Sequence, residues 1–176
     1  MTSSQGEFRW PVRVYWEDTD AGGIVFYANY LKFFERSRTE WLRTLGVEQQ
    51  RLRDSTGGMF VVAETSIRYL RPARLDDELI VTARLIEMGH ASLIIGQQAL
   101  LKSEQPPSGD SADVPGREGL PQAGSVPSGA SVAREASSAG ATLLCEGRIR
   151  IGWVDACTMR PARLPAAIVS RLRSPT

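Results

Sequence analysis

From Tyr30 to Leu45 apolar residues return at helical spacing, with Tyr30, Leu31, Phe34, Trp41, Leu42 and Leu45 on one side and Lys32, Glu35, Arg36, Glu40 and Arg43 largely on the other. This predicts a long amphipathic helix, and Gly46 suits a left-handed stop after its last turn. Upstream, Phe8 to Trp16 alternates from Val12 on, with Val12, Val14 and Trp16 facing one way and Arg13 and Tyr15 the other. That predicts a strand, which Pro11 places at a sheet edge or near a strand end. Downstream, Gly57-Gly58 breaks the chain before the β-branched and aromatic run Phe60 to Leu70, a second strand closed by Pro72. Leu79 to Met88 and Ala91 to Leu101 are two more β-prone runs joined by Gly89-His90, and apolar residues on both faces put them mid-sheet. A fifth strand starts at Thr142 and alternates through Trp153, and Pro165 opens a short helix from Ala166 to Leu172. The order gives an α+β fold, an antiparallel sheet with one helix packed across it.

Composition changes that picture at one place. In residues 103–141, 26 of 39 positions are Gly, Ser, Pro or Ala and none is aromatic, which predicts a disordered surface insertion. The 176 residues, 42% hydrophobic, suffice for one ordinary core, so the organisation expected is a tail at 1–7 and one domain over 8–176 interrupted by 103–141. The 21 basic and 20 acidic side chains nearly cancel, which gives no reason to expect nucleic acid or anionic membrane as a partner. No signal-like start and no membrane-length apolar run is present, so a cytoplasmic protein is expected. Cys145 and Cys157 are too few and too far apart for a zinc site and read as packing residues.

Several chemistries lack their residues. The chain has no Gly-x-Ser-x-Gly elbow, no Gly-x-x-x-x-Gly-Lys phosphate loop and no dinucleotide fingerprint, and its one histidine, His90, falls in a predicted exposed turn. What remains is Glu17, Asp18 and Asp20 beside Gly22 and Gly23, just ahead of a helix start. A carboxylate serves as general base or nucleophile, and unpaired helix-start N–H groups hold an oxygen that gains charge, a pair suited to acyl transfer. The plainer alternative is that Asp18 or Asp20 stabilises the turn and caps the helix.

The stretch Phe8-Arg9-Trp10-Pro11-Val12-Arg13-Val14-Tyr15-Trp16-Glu17-Asp18-Thr19-Asp20-Ala21-Gly22-Gly23-Ile24-Val25, then Tyr30 and Glu35-Arg36-Ser37-Arg38, resembles the hotdog-fold acyl-CoA thioesterases. Within them it is most similar to the tol-pal-associated branch of the 4-hydroxybenzoyl-CoA thioesterase family. The likeness continues through Tyr69, Pro72-Ala73-Arg74-Leu75-Asp76-Asp77, Ser92-Leu93 and Met159-Arg160-Pro161.

The resemblance implies a curved five-stranded antiparallel sheet round a central helix, assembly as a homodimer or homotetramer, and active sites between subunits. It implies hydrolysis of an acyl-CoA thioester to acid and CoA without metal or redox cofactor. Asp20 matches the family's catalytic carboxylate, and Tyr27 matches the position whose backbone N–H polarises the thioester carbonyl. Gly22, Gly23 and Ala28 are the substrate-binding positions expected beside them. The branch usually carries histidine where this chain has Tyr27, and Trp16 replaces a tyrosine. Acyl carrier protein or lipid-synthesis enzymes are the partners it suggests. A hotdog dehydratase would need a histidine on the central helix, and none lies between Trp16 and Gly46. The alternative from another class is a non-catalytic acyl-binding or scaffold dimer linked to envelope phospholipid synthesis.

Overall fold

A computed structural model of the chain describes residues 6–102 and 141–173, so all but Ala141 of the expected insertion lies outside the described residues. Strands β1 (Phe8–Arg13), β2 (Gly58–Tyr69), β3 (Glu78–Met88), β4 (Ser92–Leu101) and β5 (Thr142–Asp155) form one sheet in the order β1-β3-β4-β5-β2. Every neighbouring pair is antiparallel. As their two-sided apolar pattern requires, β3 and β4 are interior strands, while Pro11 sits on edge strand β1, where its missing N–H spoils no ladder bond on the open side. The β3–β4 link is longer than expected: β4 starts at Ser92, and Gly89 N–H donates to Ser92 O at 2.8 Å.

Helix α1 (Asn29–Thr44) lies across one face of this sheet. Its buried stripe is Tyr30, Phe33, Phe34, Ser37, Arg38, Trp41 and Leu42, an i, i+3, i+4, i+7 pattern. Leu31, expected inside, is 43% exposed, and Phe33 takes its place. Polar Ser37 and Arg38 fit the stripe because each has a partner there. Ser37 Oγ donates to Val81 O at 3.0 Å, and Arg38 Nη1 donates to Gln97 Oε1 at 3.1 Å. The sheet meets the helix with Leu79, Val81, Ala83, Leu93, Ile95, Cys145, Ile149 and Ile151. Gly46 closes the helix in the left-handed region, φ 70°, with Gly46 N–H on Arg43 O and Val47 N–H on Leu42 O, both 2.8 Å. This is the five-stranded, single-helix core that the hotdog resemblance implies.

Three further expectations change, and that of a terminal helix after Pro165 is met. Strand β1 ends at Arg13, and Trp16, expected beside Val12 and Val14 on the inner side, starts a 3-10 turn (Trp16–Asp18) and is 79% exposed. A short helix α2 (Gln49–Thr56) stands where no element was expected, because it buries no residue and so carries no apolar stripe to read. Helix α3 (Ala166–Arg173) forms after Pro165, buries Ile168 and Leu172, and sends the Arg171 guanidinium to Gly46 O, which ties the chain end to the end of α1. Cys145 is buried as a packing residue, but Cys157 is exposed in the turn held by Asp155.

Candidate functional site

The 3-10 turn points its acid inward. Asp18 is 2% exposed, and its Oδ2 accepts the Tyr15 N–H at 3.0 Å. Its carbonyl accepts twice more, from Phe26 N–H and from Asn29 Nδ2, each at 2.9 Å, and this pins the mouth of α1 to the acidic turn. Two residues on, the chain reverses. Asp20 N–H donates to Ile24 O at 2.9 Å and Gly23 N–H to Asp20 O at 3.0 Å, the pattern of a three-residue hairpin loop whose last residue, Gly23 at φ 71°, is left-handed.

Asp20 is thereby held at the tip and exposed, with Oδ1 accepting the Gly22 N–H at 2.8 Å. A Cβ at Gly22 would stand 3.1 Å from that oxygen and would push the carboxylate a few tenths of an ångström from this seat. Each of the two carboxylates thus holds a backbone N–H of its own turn, Asp18 in the 3-10 turn and Asp20 in the glycine loop, and neither caps the long helix. At α1 the N-cap is Ala28, which offers no side-chain cap.

The returning strand is tied to the loop after β2, with Val25 N–H on Ala73 O at 2.9 Å and an Ile24–Arg74 bridge. It delivers Tyr27 and Ala28 to the start of α1. Tyr27 is 62% exposed, and among the described residues neither its N–H nor that of Ala28 meets an acceptor. Those N–H groups lie at the start of α1, the positive end of its dipole.

Beside them lies an apolar cleft of about 240 Å³ walled by Ile24, Val25, Tyr27, Tyr30, Tyr69, Leu70, Arg71 and Pro72. Tyr69 donates its hydroxyl to Tyr27 O at 3.0 Å, and the Tyr30 hydroxyl accepts the Ala73 N–H at 2.9 Å. Burial pushes both phenols above their ordinary pKa, so both keep their protons. Spacing placed Tyr30 on the helix stripe and Tyr69 in the second strand but did not point to either as part of this wall; both also belong to the family likeness. His90 is exposed in the β3–β4 link, as expected. Among the described residues no group of three or more His, Cys, Asp and Glu side chains is placed to hold a metal, and no helix is long and apolar enough to cross a membrane.

The thioesterase superfamily matches residues 22–106. The acyl-CoA thioester hydrolase YbgC of Escherichia coli O6:H1 is 34% identical over 166 residues, 94% of this chain and 96% of the relative. The acyl-CoA thioesterase YbgC of Haemophilus influenzae is 48% identical over 93 residues, 53% of this chain and 68% of the relative. A probable thioesterase from Bartonella henselae shares the fold, with TM-score 0.65 at 24% identity over 91% of this chain and 100% of that one. The chain belongs to the thioesterase superfamily and has its hotdog fold.

Proposed function

We propose that this protein hydrolyses an acyl-CoA thioester to the free acid and CoA, with Asp20 supplying the attack and the mouth of α1 holding the carbonyl oxygen. The observation that carries this is the division between the two aspartates: Asp18 is buried in its turn, whereas Asp20 stands exposed on a glycine loop, within reach of a substrate. As general base Asp20 takes a proton from water as the water oxygen bonds the acyl carbon; as nucleophile it bonds that carbon itself and water later cleaves the anhydride. Either way the charge that develops on the carbonyl oxygen falls to the Tyr27 and Ala28 N–H groups, the C–S bond breaks, and the CoA thiolate takes a proton, from Asp20 on the general-base route and from water on the nucleophilic one. Gly22 and Gly23 leave room for substrate to approach Asp20, and the apolar cleft of about 240 Å³ takes the first part of the acyl group.

The names of the YbgC relatives support the substrate class. The stretches from Phe8 to Val25 and from Glu35 to Arg38 support the tol-pal-associated branch of the 4-hydroxybenzoyl-CoA thioesterase family. We further infer one domain, a cytoplasmic place, where acyl-CoA is available, and a homo-oligomer built on a dimer. Strand β2 leaves one edge of the sheet open, with Val62 57% exposed on it, and a second copy covers such an edge. The test is a CoA-release assay over acyl-CoA thioesters of graded length and aromaticity. Turnover on at least one class is expected; none above background on any member would refute the hydrolase and favour an acyl-binding scaffold.

A further inference from the structure

Tyr27 precedes the N-cap Ala28, so its carbonyl lies outside the helical ladder and no helix N–H is due to it. Leu31 N–H donates to Ala28 O at 3.1 Å, and Tyr27 O accepts the hydroxyl of Tyr69, 42 residues away on β2, at 3.0 Å. The Tyr69 ring is braced for this, meeting Tyr27 at 6.3 Å and 85° and Tyr30 at 5.7 Å and 63° between ring planes.

A trans peptide is a rigid plane in which the carbonyl of one residue and the N–H of the next point in opposite directions. Whatever holds Tyr27 O therefore aims the Ala28 N–H, which meets no acceptor among the described residues. A hydrogen bond into the carbonyl also polarises the amide and strengthens its N–H as a donor. We propose that Tyr69 is a positioning residue that clamps the Tyr27–Ala28 peptide and aims the Ala28 N–H, as a second donor beside that of Tyr27, at the thioester oxygen. This rests on the thioesterase reading.

Tyr69→Phe removes only the hydroxyl. With the best substrate from the panel, kcat falls about tenfold, less than the 10²–10³ typical of deleting a direct oxyanion donor, while KM stays within about twofold. In labelled protein the Ala28 amide ¹⁵N resonance shifts, a readout of the carbonyl bond that needs no substrate. Unchanged kcat overturns the proposal, as does an unmoved Ala28 amide. A rise in KM at constant kcat also overturns it, because Tyr69 would then only wall the cleft. Asp20→Asn measured alongside separates the two readings: turnover lost in D20N but intact in Y69F sinks the clamp alone. Absence of turnover in the wild type sinks the hydrolase, and with it the proposed role of Ala28.

Discussion

Gly147→Ala tests how α1 is seated. Gly147 lies on the inner face of β5, paired with Gln97 on β4 and Ile67 on β2. An added Cβ would stand 2.8 Å from Phe34 Cε2 and 3.4 Å from Ile149 Cδ1, where carbon pairs prefer about 3.5–4.0 Å. Phe34 is fully buried and cannot turn toward solvent. Nor can the helix lift freely, because Phe34 O accepts Gln97 Nε2 at 2.8 Å and Ser37 is bonded to Val81 O.

Overpacking at such a site costs about 1–3 kcal/mol, which for a chain of this size lowers Tm by roughly 3–9 °C. Thermal melts should be compared with Gly152→Ala on the same strand, whose Cβ would meet nothing nearer than 4.0 Å and which should melt close to wild type. If the Gly147 variant melts no lower than the Gly152 variant, α1 is not held at this distance from β5 and the packing argument fails.

Replacing Glu104 to Gly140 by a short flexible link should leave Tm and kcat/KM nearly unchanged, because Leu101 and Thr142 already face each other across β4 and β5. A large fall in either would show that the segment packs on the fold or lines the site. Light scattering at micromolar concentration should give a dimer or a multiple of it, and an active monomer would contradict the edge argument. A thiol reagent near pH 8 should modify Cys157 quickly and Cys145 only after unfolding. Burial pushes Cys145 up to about 12, so its contribution to stability is full below the ordinary thiol value near 8.5 and is lost as pH rises from there through about 12. Two fast thiols in the native protein would refute that burial.

The strands were legible from alternation in β1 and β5 and from β-branched, aromatic or two-sided apolar runs in β2, β3 and β4, and α1 because its stripe repeats over four turns. The stripe's membership was not, since Ser37 and Arg38 are inside on account of Val81 O and Gln97, partners more than forty residues away. Trp16 was misplaced for a local reason: the Asp18 side chain takes the Tyr15 N–H, and that ends the extended run. Helix α2 has Leu52 as its one large apolar residue, too little for a periodic signal. At the site the acids and glycines stood out as a motif, but which aspartate faces inward depends on the turn, and the Tyr69–Tyr27 contact depends on how β2 lies against the mouth of α1.

The central claim is that Asp20, and not Asp18, delivers the attack. Asp20→Asn keeps the volume and an oxygen for the Gly22 N–H but removes the basic, nucleophilic carboxylate. Asp18→Asn loses a charge-assisted bond to the Tyr15 N–H, about 1 kcal/mol of stability, with a much smaller effect on the chemical step. The deciding measurement is kcat for folded Asp20→Asn and Asp18→Asn on one acyl-CoA, with substrate binding checked by calorimetry. The account predicts a fall on the order of 10² to 10⁴ for Asp20→Asn with binding retained, and near-normal turnover for Asp18→Asn. An Asp20→Asn protein that folds, binds and turns over near the wild-type rate would contradict it.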